Sequence, residues 1–574
     1  MIGRLLARFR RQRTARSSEA RLGNLVLVVS RKRLSQRTGA VAQKRIGRYR
    51  ISLLESSRGS IRDAADARLE ELAERLAARL DARARETLFE FVAAASAPYL
   101  DGPDGIAVAH GLRLLRDKLI ATKLPGLPPE INTPPLAVID AIVRLDERRF
   151  WITGWARDEN GKPPEVTMTA PDGERVPLLP GAPRFDRKDV AESLAAAGVV
   201  NPRKNGYAKY VELRASSPLS DGWLAELRIS GADPYELRAP PVTSDSSEAR
   251  GTMIAPFAAG GPELETLRRD HAFPALRLFQ ERASRSVEIE SEVQHGKAPE
   301  EPDVSIVVPL YRRIDLIEHQ VAQFWRDPDL RRAELIYVLD SPERAGELSR
   351  LAGPLYELYG LPIKILNLSR NGGYAVANNL GASRARGRLL LLMNSDVLPT
   401  ARGWLRRMHT FYDATPDIGA LGPKLLYEDE SIQHAGMYFK RDAATRLWEN
   451  QHYFKGFART LPAAGVTRPV PAVTGACMMV ERVLFDRLGG FATLYVDGGY
   501  EDSDFCIRLV HEGKRNWYLA DVELYHLEAQ SFFIHARLAN PCNVWIQTHL
   551  WNDRIERLMS ASWEVTASPL VAVG

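Results

Sequence analysis

The stretch Val304-Ser-Ile-Val-Val-Pro-Leu-Tyr311 opens a series of short apolar runs that each end in a polar residue. The second run is Ile336-Tyr-Val-Leu-Asp340, and the last is Leu389-Leu-Leu-Leu-Met-Asn-Ser-Asp396. Continuous apolar runs of this length are typical of strands that are buried on both faces of a parallel sheet. Because helical segments separate the runs, we predict a mostly parallel α/β sheet. Its polar residues should lie at the carboxyl ends of the strands, where such sheets bind ligands.

A glycine-rich segment lies between these runs, and an acidic segment follows them. The glycines of Asn371-Gly-Gly-Tyr-Ala-Val-Ala-Asn-Asn-Leu-Gly381 allow a close approach of the backbone to a ligand. Polar residues at strand ends suit a nucleotide or a metal ion, so the pattern predicts a nucleotide-binding domain. The later segment Gly499-Tyr-Glu-Asp-Ser-Asp504 supplies carboxylates that can accept a proton.

Residues 304 to about 530 resemble an inverting glycosyltransferase of the GT-A fold, family 2, in a series of motifs that occur in the expected order. These are the opening strand, the glycine-rich segment, Asn394-Ser395-Asp396, Ile432-Gln-His-Ala-Gly436, Val473-Thr-Gly-Ala-Cys-Met-Met-Val480, Glu501-Asp-Ser-Asp-Phe-Cys-Ile-Arg508 and Tyr525-His526. The resemblance is to rhamnosyltransferase-like members and implies a deoxythymidine or uridine diphosphate sugar as donor. It also implies a Rossmann-like GT-A catalytic domain at the C-terminal side of the chain.

The resemblance implies a divalent cation, Mn²⁺ or Mg²⁺, at Asp396 with His526 as a second ligand. Departure of a diphosphate builds negative charge, which such a cation neutralises. Hard cations prefer oxygen ligands, and manganese also accepts an imidazole. The first Asp of the family's Asp-x-Asp element is Asn394 here, which leaves one carboxylate. The alternatives are that Asp396 is a loop cap after the strand and that His526 is a surface or packed histidine near the end of the domain.

A second set of residues is implied to hold the donor. Asp340 is expected to accept a hydrogen bond from the nucleobase, although a carboxylate at a strand end also serves as an ordinary turn residue. Asn378 stands where many relatives have an arginine near the diphosphate, which implies either a weaker phosphate contact or one supplied by Arg370 or another basic residue. The full donor-side set comprises Pro309, Tyr311, Asp340, Gly372, Gly373, Asn378, Asn394 and Ser395.

An acceptor hydroxyl is a poor nucleophile and needs a base within hydrogen-bonding distance. By resemblance Asp502 is that base, and the adjacent Glu501 is its rival. Asp502 would take the hydroxyl proton while the oxygen attacks the anomeric carbon opposite the leaving diphosphate. One such displacement inverts the anomeric configuration without a protein nucleophile.

The rest of the chain divides by composition. Five alternating runs separated by turn signals indicate a small β-sandwich, in which Trp151, Trp155 and Trp223 are either sugar platforms or core residues. A leucine stripe from Leu69 to Leu80 indicates a helix that packs on a second helix near residues 111–123. We predict a basic segment at 1–58, a helical region at 59–125, the sandwich at 136–242, a linker with a helix at 243–300, the GT-A domain at 301–533 and a C-terminal helix and tail at 534–574.

Residues 1–50 carry fifteen Arg and Lys against a single acid, Glu19. Between Arg4 and Arg16 they interleave with apolar residues. The pattern fits either an amphipathic helix on an anionic membrane or a solvated, disordered tail. Nucleic-acid binding is weakly supported, because no nucleic-acid recognition motif accompanies the basic charge. No apolar run approaches the roughly 20 residues of a membrane span, and no signal peptide or disulfide framework is recognisable. We therefore expect a cytoplasmic protein, with peripheral attachment to the inner face of the membrane as an alternative.

The leading hypothesis is a glycosyltransferase that moves a sugar from a nucleotide-diphosphate donor to a glycan or glycolipid acceptor in surface polysaccharide or lipopolysaccharide synthesis. The change at Asn394 motivates the alternative of a silent carbohydrate-binding or assembly protein. A nucleotidyltransferase is disfavoured, because the residues after Pro309 lack a glycine-rich phosphate loop. The sequence leaves the sugar, the acceptor and the oligomeric state open.

Overall fold

The computed structural model divides the chain into two compact units, Met1–Leu278 and Phe279–Gly574. The division falls within the predicted linker 243–300. The structure describes residues 17–22, 25–30, 40–46, 49–55, 62–99, 105–119, 134–158, 162–171, 173–199, 204–214, 223–229, 233–244, 247–258, 264–527 and 536–561.

The first unit begins with a four-stranded antiparallel sheet, in the order β1-β2-β4-β3, followed by helices. The elements are β1 (Ser17–Leu22), β2 (Leu25–Ser30), β3 (Ala40–Ile46), β4 (Tyr49–Glu55), α1 (Arg62–Ala77), α2 (Ala82–Ser96), a 3₁₀ turn (Ala97–Tyr99) and α3 (Gly105–Leu119). Leu69, Leu72 and Leu76 share one core with Leu112 and Leu115, so the leucine stripe packs on the second helix as predicted.

The disordered-tail interpretation is wrong for the strands at residues 17–55. Leu25, Leu27, Ile51 and Leu53 are completely buried in the core that the helices share. Alternation places these apolar side chains on one face, which outweighs the high basic charge of the segment. The basic stretch between Arg4 and Arg16 lies outside the described residues.

The β-sandwich is present, with strands at all five predicted runs. Its sheets have the orders β13-β5-β6-β10-β9 and β12-β11-β7-β8. The elements are β5 (Ala137–Arg144), β6 (Arg149–Ala156), β7 (Glu165–Thr169), β8 (Arg175–Pro177), β9 (Arg184–Phe185), α4 (Lys188–Ala196), β10 (Gly206–Glu212), β11 (Leu224–Arg228), β12 (Tyr235–Leu237) and β13 (Val242–Thr243). Trp151 and Trp223 are buried, so both are core residues rather than sugar platforms.

Helical elements follow the sandwich, and an additional strand precedes the predicted parallel sheet. They are α5 (Ser247–Ala258), α6 (Glu265–Leu267), a π-helical turn (Arg268–Ala272), α7 (Phe273–Arg285) and β14 (Ile289–His295). The linker predicted at 243–300 contains no predicted strand, because the acidic side chains near its end suit an exposed segment. In the structure β14 pairs antiparallel with β17 at the sheet edge, where charged side chains remain in solvent.

The second unit contains the alternating strands and helices predicted from the opening stretch. They are β15 (Val304–Leu310), α8 (Leu316–Trp325), β16 (Glu334–Leu339), α9 (Ala345–Tyr359), β17 (Ile363–Leu368), α10 (Tyr374–Ala382), β18 (Leu389–Met393), β19 (Val397–Pro399) and α11 (Trp404–Ala414). After these come β20 (Ile418–Leu426), β21 (Ile432–His434), β22 (Met437–Arg441), β23 (Trp448–His452), β24 (Arg468–Val470), β25 (Cys477–Glu481), α12 (Arg482–Arg487), α13 (Glu501–His511), β26 (Arg515–His526) and α14 (Ala536–Ser560). Short 3₁₀ turns occur at Pro328–Arg332, Pro342–Arg344 and Pro462–Gly465.

Within the described residues, the central sheet has the order β14-β17-β16-β15-β18-β25-β20-β26-β19, with β21 on β20 and β24 on β26. Strands β17, β16, β15 and β18 are parallel, whereas β25 is antiparallel to β18. The order in which the strands are added reverses at β15, which has β16 on one side and β18 on the other. Open α/β sheets bind ligands at the carboxyl ends of strands flanking such a point.

Two apolar cores cover the two faces of this sheet. Ile306 and Val308 point into a core with α8, α9 and α11, whereas Val307 points into a core with α10, α13 and α14. The continuous apolar runs therefore reflect burial on both faces, as predicted. Among the described residues, no helix combines the length and apolarity that crossing a bilayer requires.

Candidate active site

The carboxylate of Asp340 holds the glycine-rich loop against the carboxyl end of the sheet. Its backbone N–H donates to Leu310 O at 2.8 Å, which joins the ends of β16 and β15. Its Oδ1 accepts from the N–H of Gly372 at 2.6 Å, and its Oδ2 accepts from the N–H of Gly373 at 2.9 Å. A Cβ at Gly372 would lie 2.7 Å from Val376 Cγ1, so the loop requires glycine there.

Pro309 and Tyr311 lie at the same edge, and both are half-buried. The N–H of Arg312 donates to Ser341 Oγ at 3.0 Å, and the guanidinium of Arg312 lies 5.1 Å from the ring centroid of Tyr311. Because Ser341 follows Asp340, these contacts hold the loop after β15 beside the loop after β16. The residues predicted to border the nucleobase are therefore neighbours.

Asp396 and His526 meet because β19 pairs antiparallel with β26, which sets Val397 opposite His526. Asp396 Oδ1 lies 3.3 Å from His526 Nε2, and Asn394 Nδ2 lies 3.3 Å from the same nitrogen. On the other side of the ring, His526 Nδ1 lies 2.6 Å from Gln433 Oε1. An amide oxygen only accepts, so Nδ1 carries a ring proton, and in the neutral imidazole the lone pair is then on Nε2. Two acceptors that face each other at this distance suit a cation between them.

The side chain of Asn394 can complete this set. Its Oδ1 is buried and has no hydrogen-bond partner among the described residues. A 180° rotation of the amide exchanges oxygen and nitrogen, and it would present the oxygen toward Asp396 and His526. Among the described residues, no group of three or more His, Cys, Asp or Glu side chains is arranged to hold a metal ion. A carboxylate, an imidazole and an amide oxygen nevertheless fit Mn²⁺ or Mg²⁺, which take further ligands from substrate phosphates.

The turn that carries Asn394 and Asp396, with Ser395 between them, is held from within the core by Gln320. Its Nε2 donates to Asn394 O at 3.0 Å and to Val397 O at 3.1 Å. Its Oε1 accepts from the hydroxyl of Tyr337 at 2.9 Å. Because this network is completely buried and satisfied, it fixes the turn rigidly.

Asp502 lies in the first turn of α13 and is held by two backbone donors. Its Oδ2 accepts from the N–H of Gly475 at 2.9 Å, and its Oδ1 accepts from the N–H of Ser503 at 2.7 Å. Burial raises the pKa of Asp502, since loss of water disfavours the ionised carboxyl. The hydroxyl of Tyr374 donates to Gly475 O at 2.7 Å, so Gly475 connects Asp502 to the glycine-rich segment.

The antiparallel pair β18 and β25 brings the Asn394–Asp396 turn close to Asp502. The N–H of Asn394 donates to Ala476 O at 2.9 Å, just beyond the end of both strands. Ala476 follows Gly475, whose N–H holds Asp502. Two regions that are far apart in sequence thus meet at one edge of the sheet.

A family model described as "Glycosyl transferase family 2" matches residues 305–489, and one described as "N-terminal domain of galactosyltransferase" matches residues 455–528. Together they cover every predicted site residue. The second unit carries a family 2 glycosyltransferase domain. Its fold is the predicted GT-A arrangement, with a Rossmann-like parallel part and antiparallel strands beyond it.

Two curated proteins are similar to part of this chain. The chain is 28% identical over 234 residues to "Uncharacterized protein y4gI" of Sinorhizobium fredii, which is 40% of this chain and 25% of the relative. It is 28% identical over 242 residues to "O-antigen biosynthesis protein RfbC" of Myxococcus xanthus, which is 40% of this chain and 18% of the relative. The chain therefore matches only a quarter or less of either relative's length.

A solved structure with local similarity is a mannosyltransferase from Pyrobaculum calidifontis, in complex with GDP-Man and Mn²⁺. It is 18% identical, and the alignment covers 55% of this chain and 77% of that one with a TM-score of 0.32.

Glu501 and Asn378, two of the predicted site residues, are both buried and hydrogen-bonded to nearby backbone. Glu501 is buried, and its Oε2 accepts from the N–H groups of Gly499 at 2.7 Å and Tyr500 at 2.9 Å, so it holds its own turn. Asn378 is completely buried, and its Nδ2 donates to Tyr374 O at 2.9 Å. This burial weighs against a direct contact between Asn378 and a diphosphate.

Sequence reasoning gave no role to Gln320, Gln433 or Tyr374, although each touches the predicted site. Gln433 and Tyr374 belong to motifs that were recognised, so their positions were available as a signal. Gln320 lies in α8, where a glutamine on an apolar helix face is the sequence signal of a buried polar contact.

Replacing Gln433 by leucine should lower the affinity of the family 2 domain for Mn²⁺ about 10- to 100-fold, the usual effect of losing a residue that orients a metal-binding histidine. Without the acceptor at Nδ1, His526 loses its fixed tautomer and ring orientation. Electron paramagnetic resonance of free Mn²⁺ in the presence of UDP or dTDP measures the effect. Gln323→Leu, on α8, is the matched control, and equal affinities of the two variants would contradict the role of Gln433.

Proposed function

We propose that this chain transfers a sugar from a nucleotide-diphosphate donor to a glycan hydroxyl by a single inverting displacement. The observation that carries the proposal is the convergence of Asp502 with the Asn394, Asp396 and His526 cluster at the ligand-binding edge of the sheet. A base for the acceptor and a cation site for the leaving group are two of the three elements that this reaction uses. The glycine-rich loop held by Asp340 supplies the third element, a surface for the nucleotide.

Asp396, His526 and Asn394 would hold a divalent cation, Mn²⁺ or Mg²⁺, that neutralises charge on the leaving diphosphate. Gln433 orients the imidazole and Gln320 fixes the backbone of the turn, so the ring of His526 and the turn that carries Asn394 and Asp396 are preorganised. Preorganised charge is more effective than charge that must be rearranged during the reaction.

Asp502 is the base in this proposal. Its carboxylate takes the proton of the acceptor hydroxyl while the acceptor oxygen bonds to the anomeric carbon. The bond between that carbon and the diphosphate oxygen breaks in the same step, and the diphosphate leaves with the electron pair. Asp502 is favoured over Glu501 because Asp502 is half-buried and adjoins Gly475, whereas Glu501 is buried and its Oε2 holds the N–H groups of its own turn.

We propose an acceptor in surface polysaccharide or lipopolysaccharide synthesis, in keeping with the name of the Myxococcus xanthus relative. The test of the function is a screen of UDP-, dTDP- and GDP-sugars for Mn²⁺-dependent release of the nucleoside diphosphate. Hydrolysis by the wild-type chain that Asp502→Asn abolishes supports the proposal. No metal-dependent affinity for any donor would favour the silent carbohydrate-binding alternative.

Donor affinity should fall as pH falls through about 7, because burial raises the pKa of Asp340 to about 7. The two N–H donors of the glycine-rich loop stabilise the ionised carboxyl and only partly offset this loss of hydration. Above that pH the carboxylate accepts from both Gly372 and Gly373, whereas the protonated carboxyl loses one acceptor. Losing one such bond should weaken binding of UDP or dTDP roughly tenfold.

Titration of the nucleotide by calorimetry between about pH 6 and about pH 8 measures this dependence. Asp340→Asn is the control, because its side chain does not ionise. Its affinity should be low throughout, and any pH dependence that it retains belongs to other groups. A wild type with the same pH profile as the variant would contradict the assignment.

A further inference from the structure

Helix α14 (Ala536–Ser560) lies beyond the residues that the two family models match, yet it contacts the segment that carries Asp502. Asn543, Gln547 and Trp551 project from one face of the helix, since residues four apart are neighbours on a helix surface. All three donate or accept hydrogen bonds with residues 496–504.

Asn543 holds the turn that precedes α13. Its Oδ1 accepts from the N–H of Val496 at 2.9 Å, and its Nδ2 donates to Val496 O at 2.9 Å and to Gly498 O at 3.1 Å. Asp497, Gly498 and Gly499 have φ values of 55°, 87° and 115°. Three successive residues with positive φ form a turn of unusual conformation, which contacts from outside the turn stabilise.

Gln547 holds the residue next to Asp502. Its Oε1 lies 2.6 Å from the hydroxyl oxygen of Ser503, and its Nε2 donates to Trp448 O and Asn450 Oδ1, both at 3.1 Å. Asn450 Nδ2 also donates to Ser503 Oγ at 2.8 Å. The N–H of this same Ser503 donates to Asp502 Oδ1, so Gln547 is one residue removed from the carboxylate.

Trp551 extends the contact by one more helical turn. Its Nε1 donates to Asp504 Oδ1 at 2.7 Å, and Asp504 also forms an ion pair with Arg508 at 2.8 Å. Asp504 is thus held on both sides, from α14 and from its own helix.

These side chains are buried, so their hydrogen bonds must be satisfied within the protein. Asn543 is 1% exposed, and Gln547 and Ser503 are 0% exposed. A buried amide costs free energy unless its hydrogen bonds are made, and apolar side chains of similar size would fill the same space. Polar groups in such positions restrict the neighbouring backbone to the one arrangement that satisfies them. Here that backbone carries Asp502.

We infer that Asn543 and Gln547 are positioning residues for the carboxylate of Asp502, and that α14 is therefore part of the catalytic apparatus. The inference rests on the proposed function, in which Asp502 is the base. Gln547 sets the position of Ser503, and Ser503 in turn donates to the carboxylate. Asn543 sets the turn from which α13 starts. An error of about 1 Å in such a group can cost about 100-fold in rate.

Asn543→Leu and Gln547→Met preserve the approximate volume and remove the hydrogen bonds, and Leu550→Ala, at a 42% exposed position of α14, is the matched control. The assay uses the full chain and the first UDP- or dTDP-sugar that the wild type hydrolyses. We expect kcat to fall about 10- to 100-fold in the two variants, with KM and the affinity for UDP or dTDP within about twofold of wild type. Retained nucleotide affinity shows that each variant is folded.

Two readouts separate positioning from a purely structural role. A weaker Ser503 N–H bond destabilises the ionised carboxyl, so the acid limb of kcat should move to higher pH in Gln547→Met. In an Asp502→Asn background, Gln547→Met should produce no further fall in kcat, because the group that it positions is gone.

The outcomes distinguish this inference from the function on which it rests. Unchanged kcat and pH profile in both variants, with activity that still depends on Asp502, would overturn the inference alone. Loss of nucleotide affinity together with kcat would also overturn it, since α14 would then support the whole domain. If no donor gives turnover that depends on Asp502, the proposed function and the inference both fail.

Discussion

Replacing Asp502 by asparagine should lower kcat for sugar transfer, or for donor hydrolysis, about 1,000-fold, within the usual contribution of a general base. The amide keeps the size of the carboxylate but cannot take the hydroxyl proton. Its oxygen can still accept from the N–H of Gly475, and only the bond from the N–H of Ser503 is lost. Affinity for the nucleotide should therefore remain within a few-fold of wild type. Nucleoside diphosphate release at saturating donor measures the effect.

Two further variants test whether the loss of activity is specific to the carboxylate of Asp502. Glu501→Gln retains an oxygen that accepts from Gly499 and Tyr500, so it should keep most of the activity. Asp521→Asn changes a carboxylate at an exposed position of β26 and should have no effect. Full activity in Asp502→Asn, or an equal loss in Glu501→Gln, would show that the base is assigned to the wrong residue.

Replacing Asp396 by alanine should abolish the dependence of donor binding on Mn²⁺. Asp396 supplies the single carboxylate of the proposed site, and its removal leaves an imidazole and an amide. The loss should be about 100-fold or more in Mn²⁺-dependent affinity for UDP or dTDP, in keeping with the several kcal/mol that a catalytic cation contributes. Calorimetric titration of the nucleotide with and without Mn²⁺ gives the difference directly.

The geometry also predicts the effects of substitutions at His526 and Asn394, which neighbour Asp396. His526→Ala should reduce the same affinity, and the double variant should be little worse than Asp396→Ala, because both residues act on one ion. Asn394→Asp would restore a second carboxylate and should tighten metal binding. Equal Mn²⁺ dependence in wild type and Asp396→Ala would exclude the site.

Much of the fold was predictable from periodicity. The apolar runs at Val304–Leu310 and Leu389–Met393 are buried strands because only a strand covered on both faces tolerates continuous apolar side chains. Alternation of apolar and polar residues identified the sandwich strands, because each of these strands is covered by the core on one face only. The strands at residues 17–55 were not predicted, because the high positive charge of this segment suggests a solvated tail. The alternation of Leu25, Leu27, Ile51 and Leu53 is the signal that indicates strands.

The identities of the main site residues were predictable from the sequence, but their hydrogen-bond partners were not. Motifs identified Asp340, Asp396, Asp502 and His526, since a motif is a local pattern that the sequence displays directly. The partner of each depends on strand pairing, which joins distant segments. Val397 lies opposite His526 only because β19 adds to β26, and Asn394 reaches Ala476 only because β18 pairs with β25.

The sequence by itself determined the α/β class, the family and the residue types available for a base and a cation. Tertiary structure alone decided which buried amides hold those residues in place. Asn543 and Gln547 carry no periodic or motif-based signal of their roles, and the signals of Gln320 and Gln433 do not name their partners. A glutamine or asparagine has no fixed partner until the backbone brings one within hydrogen-bonding distance. Long-range packing makes those pairs, and with them the geometry on which the proposed transfer depends.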